Sequence, residues 1–276
     1  GQNVLGQPEP GIENTRLLGG QSIKQHFMLL LAGRHLPPAQ FSRLAAEVEK
    51  TMFVWLVTWI SAKEYERKIV DGAHKLRHIK PDQFDGFIAE TFAKERADLA
   101  PQFARTMKEM KSTWLRQFRL RYLLAKITQA VDIQAYGPSE SRDRLADHTA
   151  GGNDIEHIMA AGADAEAVAE FGERAQDDAV IQSLGNLLLI EKSINRSISN
   201  TRYSEKVKGY AQSKFLLTRC QADAQAQLVG VADQITKTVQ ALECWPKWSM
   251  EDVEARQLFL TKLACSLLDL GTCKCS

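Results

Sequence analysis

Four residues have types and spacing suited to hydrolytic chemistry: Glu156, His157, Asn186 and Asn195. His157 follows an acid directly, inside the short alternating run 154–159 (DIEHIM), which reads as a strand. Asn186 opens the apolar run 186–190 (NLLLI), a buried strand that as a hairpin partner would set Asn186 opposite His157. Asn195 lies nine residues later, at the start of a short helix expected to pack on that hairpin. A lone histidine beside a strand is more often structural, but the neighbouring acid, the two asparagines and a basic segment after them shift the balance. Phosphodiester cleavage needs a base that titrates near neutrality, which imidazole supplies. It also needs a divalent cation to neutralise the phosphate and steady the leaving oxygen. Mg²⁺, or Mn²⁺ in its place, takes oxygen ligands and keeps several waters, so Glu156 and Asn195 suffice as protein ligands. Adjacent strand residues point to opposite faces, so Glu156 and His157 can share one site only at an irregular strand end. Asn186 is expected to hold the imidazole by a hydrogen bond.

The elements that must position these groups are mostly helices. Residues 1–20, rich in Gly, Pro, Asn and Gln, read as a loose leader, and the opening without Met suggests a fragment. Residues 21–137 read as a helical domain and 138–276 as a second domain that carries the chemistry. In the first, a short helix is expected over 22–33 and a long one over 39–70, with Phe41, Leu44, Val48, Met52, Trp55, Leu56 and Trp59 at helical spacing. A helical pair interrupted by Pro101 covers 81–112, and a further helix covers 114–135 until Tyr136-Gly137-Pro138 ends it. Trp55, Trp59 and Trp114 read as core. In the second domain an Ala-rich acidic segment, 161–180, separates the two strands, Ser193 offers an N-cap, and residues 203–230 and 250–270 are helical. The fold class is mainly α, with a small ββα unit in the C-terminal domain.

At these residues the sequence resembles the HNH (His-Me finger) nucleases. The run 154–159 is similar to their first motif, 184–189 (LGNLLL) to the second and 194–196 (INR) to the third. The spacing from Asn186 to Asn195 is similar to that in the HNH domain of the RNA-guided CRISPR nuclease. More closely, 154–210 resembles the C-terminal nuclease domain of GmrSD-type, modification-dependent restriction enzymes, which include an effector of phosphorothioate-based phage defence. Trp245, Val253 and Arg256 fit that domain's usual ending, and the resemblance covers about residues 110–270. It implies a ββα-metal fold and a DNA endonuclease of antiviral defence that nicks or cuts. Glu156 and Asn195 would bind Mg²⁺, His157 would be the general base, Asn186 would hold it, and Asp154 and Asn200 would support the ligands. The chain departs from the pattern in having Ala160 where the family usually has Pro, and in the acidic insertion. The resemblance further implies an N-terminal, nucleotide-dependent sensing domain, of which this chain shows no sign: it has no phosphate-binding Gly-rich loop.

DNA is the expected partner. Over 191–220, Lys192, Arg196, Arg202, Lys206, Lys208, Lys214 and Arg219 stand against Glu191 and Glu205, so seven cations less two anions leave +5. Such clusters grip phosphates by releasing counterions, and Lys192, Arg196, Arg202, Lys206 and Lys208 are the expected contacts. A second cluster, Arg105 to Lys126, reads equally as solvated helix or DNA contact. His74 and His78, four apart, read as surface histidines, and His148 lies in the loop before the first motif.

Composition frames these readings. In 276 residues, 44% hydrophobic and 25% charged, a core of ordinary size can be buried. The net charge of +1 makes any nucleic-acid surface a local patch. The five cysteines, odd in number and all in the last quarter, read as free thiols of a cytoplasmic protein. The most apolar run, 52–60, is too short to cross a membrane. The alternative to a nuclease is a DNA-binding or protein-interaction module with a degenerate site, which Ala160 and the acidic insertion favour.

Overall fold

The apolar positions from Phe41 to Trp55 recur every three to four residues, and they are the buried face of a 20-residue helix. A computed structural model describes residues 9–139, 143–223 and 233–270. The chain divides into two compact units: Lys108–Leu263 forms one, and the described residues on either side of it form the other.

The first unit is helical. Its elements are α1 (Pro10–Gly19), α2 (His26–Ala32), α3 (Pro38–Val57), α4 (Ala62–Leu76), α5 (Phe84–Ile88) and α6 (Lys94–Glu109). Residues 10–19, expected within a loose leader, are a helix seated on α3. Gly11 permits this approach, since a Cβ there would lie 2.7 Å from the backbone of Ala45. The single long helix expected over 39–70 is two. It stops at Val57, Trp59 takes a left-handed conformation (φ 53°), and the Ser61 side chain caps α4 by accepting from Glu64 N at 3.1 Å. Trp59 is therefore 54% exposed rather than core, and Trp114 is 37% exposed; Trp55 is buried as expected. Pro101 does not interrupt its helix, for α6 runs through it with the ring on the exposed side. A π-helical turn, Ala89–Ala93, joins α5 to α6.

The second unit follows with α7 (Gln117–Tyr136), α8 (Leu145–Thr149), β1 (Asn153–His157), α9 (Ala165–Phe171), α10 (Asp178–Ile181), β2 (Leu187–Glu191), α11 (Lys192–Ile198), α12 (Tyr203–Tyr210), α13 (Leu216–Arg219), α14 (Asp233–Gln240) and α15 (Met250–Leu267). The helix α7, expected in the N-terminal domain, packs here against β2, α8, α13 and α14. β1 and β2 are antiparallel, with Asn153 opposite Glu191 and His157 opposite Leu187. Leu187 to Ile190 are each at most 2% exposed, because α7 lies over the hairpin on one side and α11 contacts both strands. A two-stranded hairpin alone is marginal in water, so this helical cover is what makes it stable. Two departures are local: α11 begins after Glu191, so Ser193 is inside the helix and not its cap, and residues 203–220 form two short helices. The expected helix over 224–230 lies outside the described residues. Cys220 and Cys244 are free, but Cys265 is disulfide-bonded, which corrects the reading of all five as thiols. No described helix is long and apolar enough to cross a membrane.

His26 in α2 is fully buried, and neither ring nitrogen has a hydrogen-bond partner among the described residues. Burial, and then the Arg16 charge, lower its pKa from 6.5 to about 4. Between those values the unfolded chain binds the proton and the folded chain does not, so stability is full above pH 6.5 and falls as the pH drops toward 4. The loss approaches about 3 kcal/mol. Urea unfolding at pH 7 and pH 4.5 checks this: His26→Phe should remove that share of the acid sensitivity, and an unchanged pH dependence would refute it.

Candidate active site

The sequence places an acid and a base side by side at the end of β1, and the surrounding elements fix what each can do. Glu156 faces inward and is 7% exposed. Its Oε1 accepts from Lys206 Nζ at 2.6 Å and from the Tyr210 hydroxyl at 3.3 Å. Lys206 is fully buried, which corrects its assignment as a DNA contact. The ammonium has three donors, and all three are used: besides Glu156 it donates to His157 O at 2.9 Å and to Ile158 O at 3.1 Å. Burial raises the pKa of Glu156, while Lys206 and Tyr210 pull it down.

Asn186 is likewise fully buried. Its Nδ2 donates to Met159 O at 2.8 Å and Ile181 O at 2.9 Å, and its Oδ1 accepts from Met159 N at 2.7 Å and Trp248 Nε1 at 3.2 Å. The amide is saturated by these four bonds. The expected bond from Asn186 to the imidazole is therefore not made; the side chain fixes the backbone two residues beyond His157 instead. The Asn186 backbone oxygen adds a bond from Ile158 N at 2.9 Å. Every backbone polar group from His157 O to Met159 O is thus held, by Lys206 on one side and Asn186 on the other.

His157 itself is half-buried, and its Nε2 is enclosed without a hydrogen-bond partner among the described residues. Burial, then the nearby Lys206 charge, lowers its pKa, so the ring is neutral at neutral pH. Asn195 is half-buried on α11. α11 and α12 approach closely at Gly209, where a Cβ would lie 2.2 Å from Ile198 Cγ2. Asp154 is half-buried, and Asn200 is exposed with its amide beside Gly162. Among the described residues no group of three or more His, Cys, Asp or Glu is arranged to hold a metal, His74 and His78 included. Those two are exposed, as expected, His74 on α4 and His78 in the turn that follows it.

The start of β2 is anchored from α15. Arg256 is buried and donates to Gly185 O and Leu187 O, each at 2.7 Å, and to Gln221 Oε1 at 3.0 Å. Burial lowers its pKa to about 10, which still leaves it charged. Gly185 allows the contact, because a Cβ there would lie 2.1 Å from Val253 O. This arrangement has a family. The model of the C-terminal domain of GmrSD restriction endonucleases matches residues 100–263, more than half of the chain. The chain belongs to the GmrSD C-terminal domain family. It is thus a nuclease domain of the restriction-endonuclease type. No curated protein matches it.

In this GmrSD domain the remaining basic residues are unevenly engaged. Arg202 pairs with Glu166 at 3.3 Å and Glu205 at 3.6 Å, and Lys208 pairs with Glu205 at 2.6 Å. Lys192 and Arg196 make no ion pair among the described residues. In the second cluster, Arg121 turns inward to donate to Asn153 O. Sequence reasoning missed Trp248 and the structural role of Lys206. The latter had a signal, since Tyr203, Lys206 and Tyr210 share one face of a helix.

Removing one partner of a buried ion pair leaves the other charge stranded. Lys206→Met should cost about 3–5 kcal/mol, and adding Glu156→Gln should recover most of it. Urea unfolding of the single and double variants measures this. A single-variant cost under about 0.5 kcal/mol, the level of an ordinary surface change, would show that the pair does not hold the site.

Proposed function

We propose that this domain is a metal-dependent DNA endonuclease of the HNH kind, with β1, β2 and α11 as its ββα unit. His157 is the general base, and Glu156 and Asn195 hold Mg²⁺ or Mn²⁺. The observation that carries the reading is the double clamp. A neutral, half-buried imidazole with an unpartnered nitrogen sits on a backbone fixed at consecutive positions, the preorganisation that a reacting group needs. By type, a carboxylate and an amide oxygen are donors that suit Mg²⁺ or Mn²⁺. Glu156 is a buried carboxylate whose anionic form burial disfavours even beside Lys206, and a further cation would favour that form. With Oε1 engaged by Lys206 and Tyr210, it fits as a monodentate ligand that its neighbours orient. Asn195 adds an amide oxygen from α11.

When bound, the metal supplies charge neutralisation on the phosphate and its leaving oxygen. The protein's own groups do the rest. A ring nitrogen of His157 takes the proton from the attacking water, Asn186 and Lys206 keep that ring's backbone in place, and Lys192 and Arg196 attract the phosphates. Asp154 and Asn200 are supporting residues in this reading. It places the domain in cytoplasmic defence against foreign DNA, linked by resemblance to phosphorothioate modification, and working with a nucleotide-dependent sensing domain.

The test is incubation of supercoiled plasmid with Mg²⁺ or Mn²⁺. His157→Ala should lower cleavage about 100-fold or more without lowering the melting temperature, and EDTA should stop it. Cleavage that persists in His157→Ala or in EDTA would refute the assignment. The other reading, a DNA-binding module with a degenerate site, is favoured by the Lys206 ammonium already seated on Glu156. Salt-sensitive binding without cleavage under either metal would support it.

The acidic insertion tempers DNA binding in the same reading. Glu170 accepts from Ser204 N at 3.2 Å, at the start of α12, while Glu166 pairs with Arg202. These carboxylates occupy groups that would otherwise meet phosphate. Replacing both, Glu166→Gln with Glu170→Gln, should raise affinity for a duplex about threefold at low salt. Fluorescence anisotropy measures it, and unchanged or weaker binding would show that the insertion is a neutral surface.

A further inference from the structure

A cavity of about 430 Å³ opens at the far end of the hairpin from His157, lined by Asp132, Tyr136, Asp147, His148, Lys214, Phe215 and Arg219. The two sites are separated by the length of β1, five residues, or about 13 Å at the rise of a strand. The turn bearing Lys214 is tied to the end of β2, since Glu191 accepts from Ser213 Oγ at 2.8 Å and Lys214 N at 2.6 Å.

His148 is 5% exposed, and its Nε2 lies 3.4 Å from Asp132 Oδ2. Its other nitrogen, Nδ1, is buried without a partner. Arg219 donates to the Tyr136 hydroxyl and to Ser213 O at 3.4 Å, yet its buried Nε is also unpartnered. A guanidinium N–H can only donate, so this one lacks an acceptor. Buried polar groups are nearly always bonded, and the Arg219 Nε–H left without an acceptor on a residue that lines the cavity, beside the Lys214 ammonium, calls for an anionic one. Asp132 does not supply it: its Oδ1 accepts from Leu216 N at 3.0 Å and its Oδ2 faces His148. Phe215 is support rather than platform, with Lys214 Nζ 4.8 Å from its ring centre and His148 tilted against it at 5.5 Å. The volume is in the range of small-molecule sites and much exceeds one phosphate ion. Tyr136 and the exposed Asp147 carboxylate line the remainder, where a ring and hydrogen-bond donors of an attached group would lie.

We propose that this cavity binds a nucleotide through its phosphate, with Arg219 and Lys214 as the donors. The phosphate can belong to a free nucleotide or to the backbone of DNA. The proposal does not rest on His157 or on the nuclease reading.

Calorimetric titration of the whole chain with inorganic phosphate, 2′-deoxyadenosine 5′-monophosphate and a short oligothymidylate tests it, in the parent, Arg219→Gln and Lys214→Gln. Lys214 is exposed, so its variant keeps the test valid if Arg219→Gln fails to fold. Loss of a charge-assisted contact should weaken binding about tenfold. Weakened binding of the monophosphate identifies a free nucleotide. Weakened binding of the oligonucleotide alone identifies the DNA backbone. If neither ligand binds, or neither affinity moves in Lys214→Gln and in a folded Arg219→Gln, the proposal is overturned.

Discussion

The shape of the end of β1 depends on one buried ammonium. Lys206 satisfies its three donors on Glu156, His157 and Ile158, and an isolated ammonium at such depth would be prohibitively costly. The lysine therefore tolerates burial only while the end of β1 holds one shape, and the end of β1 keeps that shape only while α12 is docked. Gly209 is part of the same constraint, because it lets α11 lie close against α12. Asn195, the Lys206 anchor and His157 thus belong to three elements that are positioned together. The neutrality of His157 follows from the same burial and the same charge.

The other edge of the hairpin poses a separate problem. The carbonyls of Leu187 and Leu189 alternate away from β1, and an unpaired buried edge would cost free energy at each. Arg256 covers Gly185 and Leu187 from α15, and the Thr218 hydroxyl covers Leu189 at 2.6 Å from α13. Side chains from helices thus stand in for a third strand. This explains why so much helical structure surrounds two five-residue strands. It also explains why a guanidinium with no carboxylate beside it among its described bonds is kept in the core: its donors are spent on backbone oxygens.

Much of this was legible in the sequence. The alternation at 154–159, the run at 187–190 and the short helix after it all appear within a residue or two. Less legible were roles that depend on direction. Spacing put Asn186 near His157, but not which of the two, backbone or ring, its amide would meet. A count of charges treats Lys206 and Lys192 alike, although one is buried against Glu156 and the other lies at a helix start. The end of α3 was missed for another reason. The apolar period runs on through Trp59, while the stop is written in Ser61 and Glu64, a capping pattern that the hydrophobic period obscures. Pro101 was over-read, since a proline whose ring faces outward costs a helix one hydrogen bond but not its path.

The same directional logic redistributes the charge. Of the cations counted over 191–220, Lys206 is buried, Arg202 and Lys208 face acids, and Lys214 and Arg219 line the cavity. Lys192 and Arg196 remain, both on α11 with Asn195 between them. The cations of the formal +5 that make no described ion pair are thereby Lys214 and Arg219 at the cavity and two on α11, a helix that packs on both strands. Long-range attraction falls off within about 8 Å at physiological salt, so a diffuse patch would draw DNA to the surface in general. In the proposed nuclease reading, a pair confined to α11 would act at short range on the phosphates nearest Asn195, so that binding and positioning become parts of one helix's geometry.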